Sequence, residues 1–161
     1  GTYIEKTKYD AADDTIVTSN ASIKFFLNNT KKVKDILAMY PTILSWNIKN
    51  KRWETDERGY LRLTFQYGKK DTYQPRSFED AFFSENEKFI TENTFSSLHP
   101  NSLEQFKSDK DAYELANNGV SGKSSLAIEI LLNSKKEGSC DFSNWVVPTY
   151  IKEGLLWLRK D

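Results

Sequence analysis

The sequence predicts an α/β protein, helix-rich with a small sheet. Three observations carry this. Several stretches repeat apolar residues at helical spacing behind a capping residue, two stretches alternate apolar and polar residues, and an aromatic share of 14% supplies core volume.

Composition narrows the chemistry. At 161 residues the chain is expected to be a single domain, 1–161, or a fragment of one, with a real core. Lys plus Arg and Asp plus Glu both number 23, so a uniformly basic nucleic-acid surface is not indicated, although a local patch is compatible with this balance. Cys140 is the only cysteine, which excludes an internal disulfide and a cysteine-built metal site. His99 is the only histidine, which excludes a His-rich metal centre and the usual serine triad. Any catalysis must use carboxylates, lysine or arginine. No apolar run approaches about 18 residues and no signal peptide opens the chain, so no membrane partner and a cytoplasmic location are expected. A chain that opens with Thr2-Tyr3-Ile4-Glu5 reads as starting inside a domain.

Taken in order, Thr2 to Lys8 alternates weakly as an edge strand, and Asp10 to Asp14 is a polar turn whose spacing does not suit an Asp-x-Asp metal pair. A short strand follows at Thr15-Ile16-Val17. Thr18-Ser19-Asn20 caps a helix through Ala21, Ile23, Phe25, Phe26 and Leu27, which Asn28-Asn29-Thr30 interrupts. Val33, Ile36, Leu37 and Tyr40 place a second helix that ends before Pro41. Leu44, Trp46 and Ile48 mark the buried face of a strand, and Asn50 to Gly59 reads as a charged link. Leu61, Leu63, Phe65 and Tyr67 mark a second strand, ended by Gly68 to Asp71; the two form a hairpin or separate strands of a mixed sheet.

Ser77-Phe78-Glu79-Asp80 is a capping box in acidic form, opening a helix to about Asn93. Phe78, Phe82 and Phe89 make one ridge, Phe83 and Ile90 a second. Glu79 and Asn86 project between the ridges, while Asp80 and Glu87 point the opposite way. Glu79 is thus the acid expected to be partly buried, although an acid in a first turn is also natural electrostatically. From Thr94 to Asn118 the chain is polar, with an exposed His99 at a break before Pro100 and a short helix from Asp111 to Asn117.

The next helix opens at Lys123. Leu126, Ala127, Ile130 and Leu131 form one apolar arc with Lys123 in its middle, in a first turn where the dipole disfavours a cation. A functional lysine on a buried face is one reading. A lysine that lays its stem on apolar surface and lifts its ammonium into water is the other. Gly119-Val120-Ser121-Gly122-Lys123-Ser124 is not a P-loop, because Asn117 stands where the first glycine is required and no strand leads in. The last helix, with Pro148 suited to its first turn, is apolar around nearly all of Tyr150 to Leu158 and is expected to be buried by this domain or a partner. Gly154 within it suggests a close crossing.

Four stretches in one order resemble the C-terminal half of the Toprim nuclease domain of OLD-family (overcoming lysogenisation defect) ATP-dependent endonucleases. They are Thr18-Ser19-Asn20-Ala21-Ser22, Pro75-Arg76-Ser77-Phe78-Glu79-Asp80-Ala81-Phe82, Lys123 to Leu131, and Trp145 to Leu158. The resemblance implies a Toprim-like (Rossmann-like) fold, a divalent metal (Mg or Mn), DNA as partner and substrate, and an N-terminal ATPase domain of the same parent chain that binds the ATP. It implies that Lys123 is the active-site lysine and that Glu79 lies at the metal-binding edge. The upstream glutamate and strand-borne Asp-x-Asp of a Toprim centre have no counterpart in this sequence and are expected before Gly1. The leading expectation is therefore a C-terminal fragment of a metal-dependent DNA endonuclease, with phage defence as one setting, inactive by itself. The alternative is a non-catalytic α/β interaction or dimerisation module docking through its last helix, which includes a homodimer. A stand-alone metal phosphoesterase is disfavoured by the missing carboxylates.

Overall fold

The structure, a computed structural model, describes residues 14–66, 74–138, 140–141 and 144–159. The expected strand from Thr2 to Lys8, most of the Asp10 to Asp14 turn and the Gly68 to Asp71 strand end lie outside these residues. The described chain mixes helices with short antiparallel strands and is helix-rich with a small three-stranded sheet. It divides into two compact units, one formed by the chain up to Arg76 together with Thr149 onward, the other by Ser77–Pro148. No helix among the described residues is long and apolar enough to cross a membrane.

In the first unit, Asn20 caps α1 (Ala21–Phe26), its side chain accepting the Ile23 N–H at 2.9 Å. The helix stops where Asn28 and Asn29 take φ of 51° and 67°, a left-handed conformation that asparagine tolerates. Val33 and Ile36 are the buried residues of α2 (Val33–Ala38). The strand expected at Thr15 to Val17 reduces to a single antiparallel bridge between Val17 and Lys32.

At the centre of the sheet is β1 (Thr42–Asn47), with β2 (Arg52–Thr55) antiparallel on one side and β3 (Leu61–Leu63) antiparallel on the other. The sequence reads β2 as part of a charged link, because Trp53 is its only apolar residue. Trp53 stands directly opposite Trp46, and this cross-strand aromatic pair gives the strand its apolar partner. At Gly59 a Cβ would lie 2.4 Å from the Leu44 carbonyl oxygen, so only glycine lets the chain return to β1 this closely. Of the run from Leu61 to Tyr67, Tyr67 lies outside the described residues, and the strand covers Leu61–Leu63 but not Thr64 to Gln66, although Phe65 stays buried. Ile48, expected on the buried face, lies beyond the end of β1 and is 83% exposed.

The last helix, α8 (Thr149–Leu158), runs along β3. Gly154 makes the close crossing its position suggests: a Cβ there would come within 2.9 Å of Thr64 Cγ2. The expected burial of this helix is not found among the described residues. None of its residues is buried, and Leu155, Leu156 and Leu158 are exposed, because one short strand edge covers only one side of it.

In the second unit, α3 (Phe78–Glu85) and α4 (Glu87–Glu92) replace the single helix expected to Asn93. The break is at Asn86, whose backbone leaves the helix at φ −127°, ψ 34°. Its buried side-chain amide donates to the Phe82 and Val146 carbonyls at 3.0 and 2.9 Å, and its Oδ1 accepts the Val146 N–H at 2.7 Å. Asp80, expected to face away from the core, is 1% exposed. Five successive residues, Glu79 to Phe83, are buried, so α3 is enclosed around most of its circumference rather than along one stripe.

The stretch read as polar contains a further helix, α5 (Pro100–Asp109), with Pro100 in its first turn and Phe106 as its one buried side chain. The expected Asp111 to Asn117 helix is α6 (Ala112–Glu114), capped by Asp111, which passes into a π-helical turn at Leu115–Gly119. Then come α7 (Lys123–Asn133) and a small antiparallel ribbon of β4 (Lys136–Glu137) and β5 (Cys140–Asp141). On α7, Leu126 and Ile130 are buried as expected, but Ala127 and Leu131 are exposed. Glu129 and Asn133 bond to the segment from Thr94 to Ser97, and these polar contacts roll the helix away from the apolar arc. Lys123 is consequently not on a buried face: its side chain is 74% exposed.

Candidate functional site

Ser77 fixes one half of the site. Its Oγ accepts the Asp80 N–H at 3.1 Å, so Glu79 is the second residue of α3, at the positive end of the helix. Glu79 is buried there, 8% exposed.

The start of α7 is fixed separately. The His99 N–H donates to the Gly119 carbonyl at 2.8 Å, and the Ser121 N–H and hydroxyl both donate to the Ser97 carbonyl at 2.9 Å. Leu98 pairs with Val120 between them. Glu129 grips the same segment from α7. Its Oε1 accepts the Ser96 N–H at 3.0 Å and the Ser96 hydroxyl, and its Oε2 accepts the Ser97 N–H at 3.1 Å and the Ser97 hydroxyl at 2.5 Å. With its helix held in this way, Lys123 Nζ reaches Glu79 Oε1 at 2.9 Å.

Burial pushes the Glu79 carboxyl up, but the Lys123 hydrogen bond, its own backbone N–H and Ser77 draw it down further. The group ends below its ordinary value and is ionised at neutral pH. Hydrogen bonds from Ser96 and Ser97 likewise hold Glu129 below the usual carboxylate range. The arrangement is a held, ionised, largely desolvated carboxylate facing an ammonium that stands mostly in water. An ammonium has three donors. The exposed side of Lys123 is therefore able to meet an anion while its other side stays on Glu79.

The described residues do not make a metal centre by themselves. No group of three or more His, Cys, Asp or Glu side chains among them is placed to hold an ion. Glu79 is already paired with Lys123, and its neighbour Asp80 is buried and has an interaction of its own. Two ions about 3.5–4 Å apart need several carboxylates.

The two residues nominated from separate stretches, Glu79 and Lys123, are thus in contact. The role of Glu129, which holds the start of α7, escapes a sequence reading, and the sequence places Asn86 beside Glu79 without its tie to Val146. Each lies in a run where apolar spacing dominates, and the partners Ser96, Ser97 and Val146 are distant in sequence. His99 is the exposed residue preceding α5, as its place beside Pro100 suggests. Comparison with family models, with curated proteins and with solved structures finds no match to this chain.

Proposed function

We propose that the chain is the C-terminal part of a Toprim-like domain from an OLD-family, ATP-dependent, metal-dependent DNA endonuclease of the cytoplasm, with phage defence as one setting. The observation that carries this reading is the 2.9 Å contact between Lys123 Nζ and Glu79 Oε1, with the ammonium left in solvent. Two family motifs distant in the chain converge on one ion pair. In the parent protein Lys123 contacts a DNA phosphate oxygen and Glu79 holds the ammonium at the edge of the metal-binding region. The Mg or Mn ions depend on carboxylates that the described residues do not supply, and ATP belongs to the N-terminal ATPase domain of that parent.

Plasmid cleavage by the full-length parent in Mg²⁺ or Mn²⁺ tests this. Lys123→Met should lower cleavage by roughly 10²–10³-fold, the usual effect of removing one preorganised electrostatic donor, with the fold retained. Unchanged cleavage by Lys123→Met and by Glu79→Gln overturns the assignment.

A second reading, a non-catalytic α/β module that docks or dimerises through its last helix, is favoured by α8, where Leu155 is 55% and Leu158 70% exposed. Light scattering on the 161-residue chain separates the two: a dimer that Trp157→Asp dissociates supports docking, and a monomer indifferent to that change removes it.

A further inference from the structure

The first unit carries a surface that the Lys123–Glu79 site does not use. Five aromatic rings form a connected chain at the β1–β2 hairpin. Phe25 meets Phe26 at 5.1 Å, Phe26 meets Trp53 at 5.2 Å, and Trp53 meets both Trp46 at 5.6 Å and Tyr60 at 6.0 Å, all edge-to-face. Phe26 and Trp53 are the covered members. Phe25, Trp46 and Tyr60 remain 66, 41 and 67% exposed. The rings are held as well as exposed: the Tyr60 hydroxyl accepts the Trp46 N–H at 3.1 Å, and Asn28 on the α1 side donates to the Trp53 carbonyl at 2.8 Å.

Beside these rings Lys49, Lys51, Arg52 and Arg58 outnumber Glu54, Asp56 and Glu57 by one, and Glu57 is exposed without a cation partner among the described residues. Glu54 is fully committed, accepting from Asn47 at 2.7 Å and from Asn50 and Arg52 at 2.8 Å. Asp56 is engaged by the Arg58 N–H and Ser45. Lys49 and Lys51, exposed in the hairpin loop, have no carboxylate partner among the described residues. Rigid aromatic faces beside unneutralised amines are what unpaired bases and their phosphates require together. A protein partner would gain from the amines only through an acidic segment, whereas every nucleotide brings a base and a phosphate together.

We propose that this hairpin is a binding platform for single-stranded DNA, with bases stacking on Trp46 and Tyr60 and phosphates meeting Lys49 and Lys51. The choice of DNA rests on the endonuclease reading above; the stacking platform rests on the rings and amines alone.

Fluorescence anisotropy of labelled oligo-dT with the 161-residue chain, in about 50 mM salt and chelator, is the test. Binding should weaken roughly 5- to 150-fold in Trp46→Ala, recover in Trp46→Phe, and weaken with a shallower salt dependence in Lys49→Glu/Lys51→Glu. The double lysine variant changes only exposed loop side chains, so it stays informative if Trp46→Ala unfolds. Absence of oligo-dT binding, equal binding by these variants, equal binding of a duplex, or binding of oligo-rU alone overturns the proposal. The assay holds no metal and does not involve Lys123 or Glu79, so failure of the nuclease reading appears only in parent cleavage by their variants.

Discussion

Lys123 Nζ and Glu79 Oε1 are 2.9 Å apart, but the lysine side chain is 74% exposed and the glutamate side chain 10%. This asymmetry makes Glu79 the partner whose state depends more on the pair, since water reaches the ammonium far more than the carboxylate.

Replacing Lys123 with Met should therefore weaken the downward shift at Glu79. In the native chain its carboxyl lies below the ordinary 4.5, so its contribution to stability is present above that pH and is lost as pH falls through the lowered folded value. Without Lys123 its hydrogen bond and charge are gone while burial remains, so the folded value rises and that contribution shrinks. Carboxyl ¹³C titration of Glu79 should move upward, and the urea midpoint at pH 7 should fall by the equivalent of about 1 kcal/mol. An unmoved titration would mean that Lys123 does not hold the carboxylate in solution.

Asn86→Ala should be the more damaging change. It removes the acceptor of the Val146 N–H and the donor to two carbonyls at a residue 5% exposed. A buried polar group left without its partner costs about 1–3 kcal/mol, so urea denaturation should register a loss of about 2 kcal/mol. Amide exchange at Val146 should accelerate. Unchanged exchange there would show that the 146 loop is held by packing around Trp145 alone.

Glu129→Gln tests what positions the start of α7. The carboxylate accepts from two hydroxyls and two backbone N–H groups of Ser96 and Ser97, and a glutamine amide cannot accept on its nitrogen. Amide exchange at Ser96 and Ser97 should quicken and Glu79 should titrate closer to its ordinary value as Lys123 loses its fixed base. Because Glu129 is held below 4.5 in the folded chain, its own contribution fades as pH falls through that lowered value and should be absent from the Gln variant. A pH profile shared by both proteins would refute the clamp.

The parts of this fold legible in sequence are those specified within a few residues. Ser77 and Asn20 cap their helices because a short side chain reaches the next turn, and Asn28-Asn29 stops α1 because both tolerate positive φ. The parts missed depend on distant partners. β2 needs Trp46 across the ladder, and the break at Asn86 needs Val146. The roll of α7 is set by Glu129 and Asn133 bonding to the segment from Thr94 to Ser97, which outweighs the apolar arc through Leu131. At the site, Glu79 is buried as expected, but the ridges that suggested it assume one helix, and the break at Asn86 divides them between α3 and α4. The exposure of Lys123 did not follow from its periodicity, because that periodicity does not set the helix's rotation.

Gly154 offers the sharpest separation of local from tertiary effects. Glycine inside a helix costs about 1 kcal/mol relative to alanine, so Gly154→Ala alone would stabilise an isolated α8. In the folded chain the added Cβ would lie 2.9 Å from Thr64 Cγ2 and 3.2 Å from Thr64 Oγ1, and the helix must lift or the threonine must turn. The Thr64 Cβ itself is 3.6 Å away, an ordinary contact. Gly154→Ala should therefore be destabilising or neutral, while Gly154→Ala in a Thr64→Ala background should recover most of the helical gain. A double-mutant cycle read by urea denaturation should give a coupling of about 1 kcal/mol between the two positions. Additive effects would mean that α8 is not seated on Thr64 in solution.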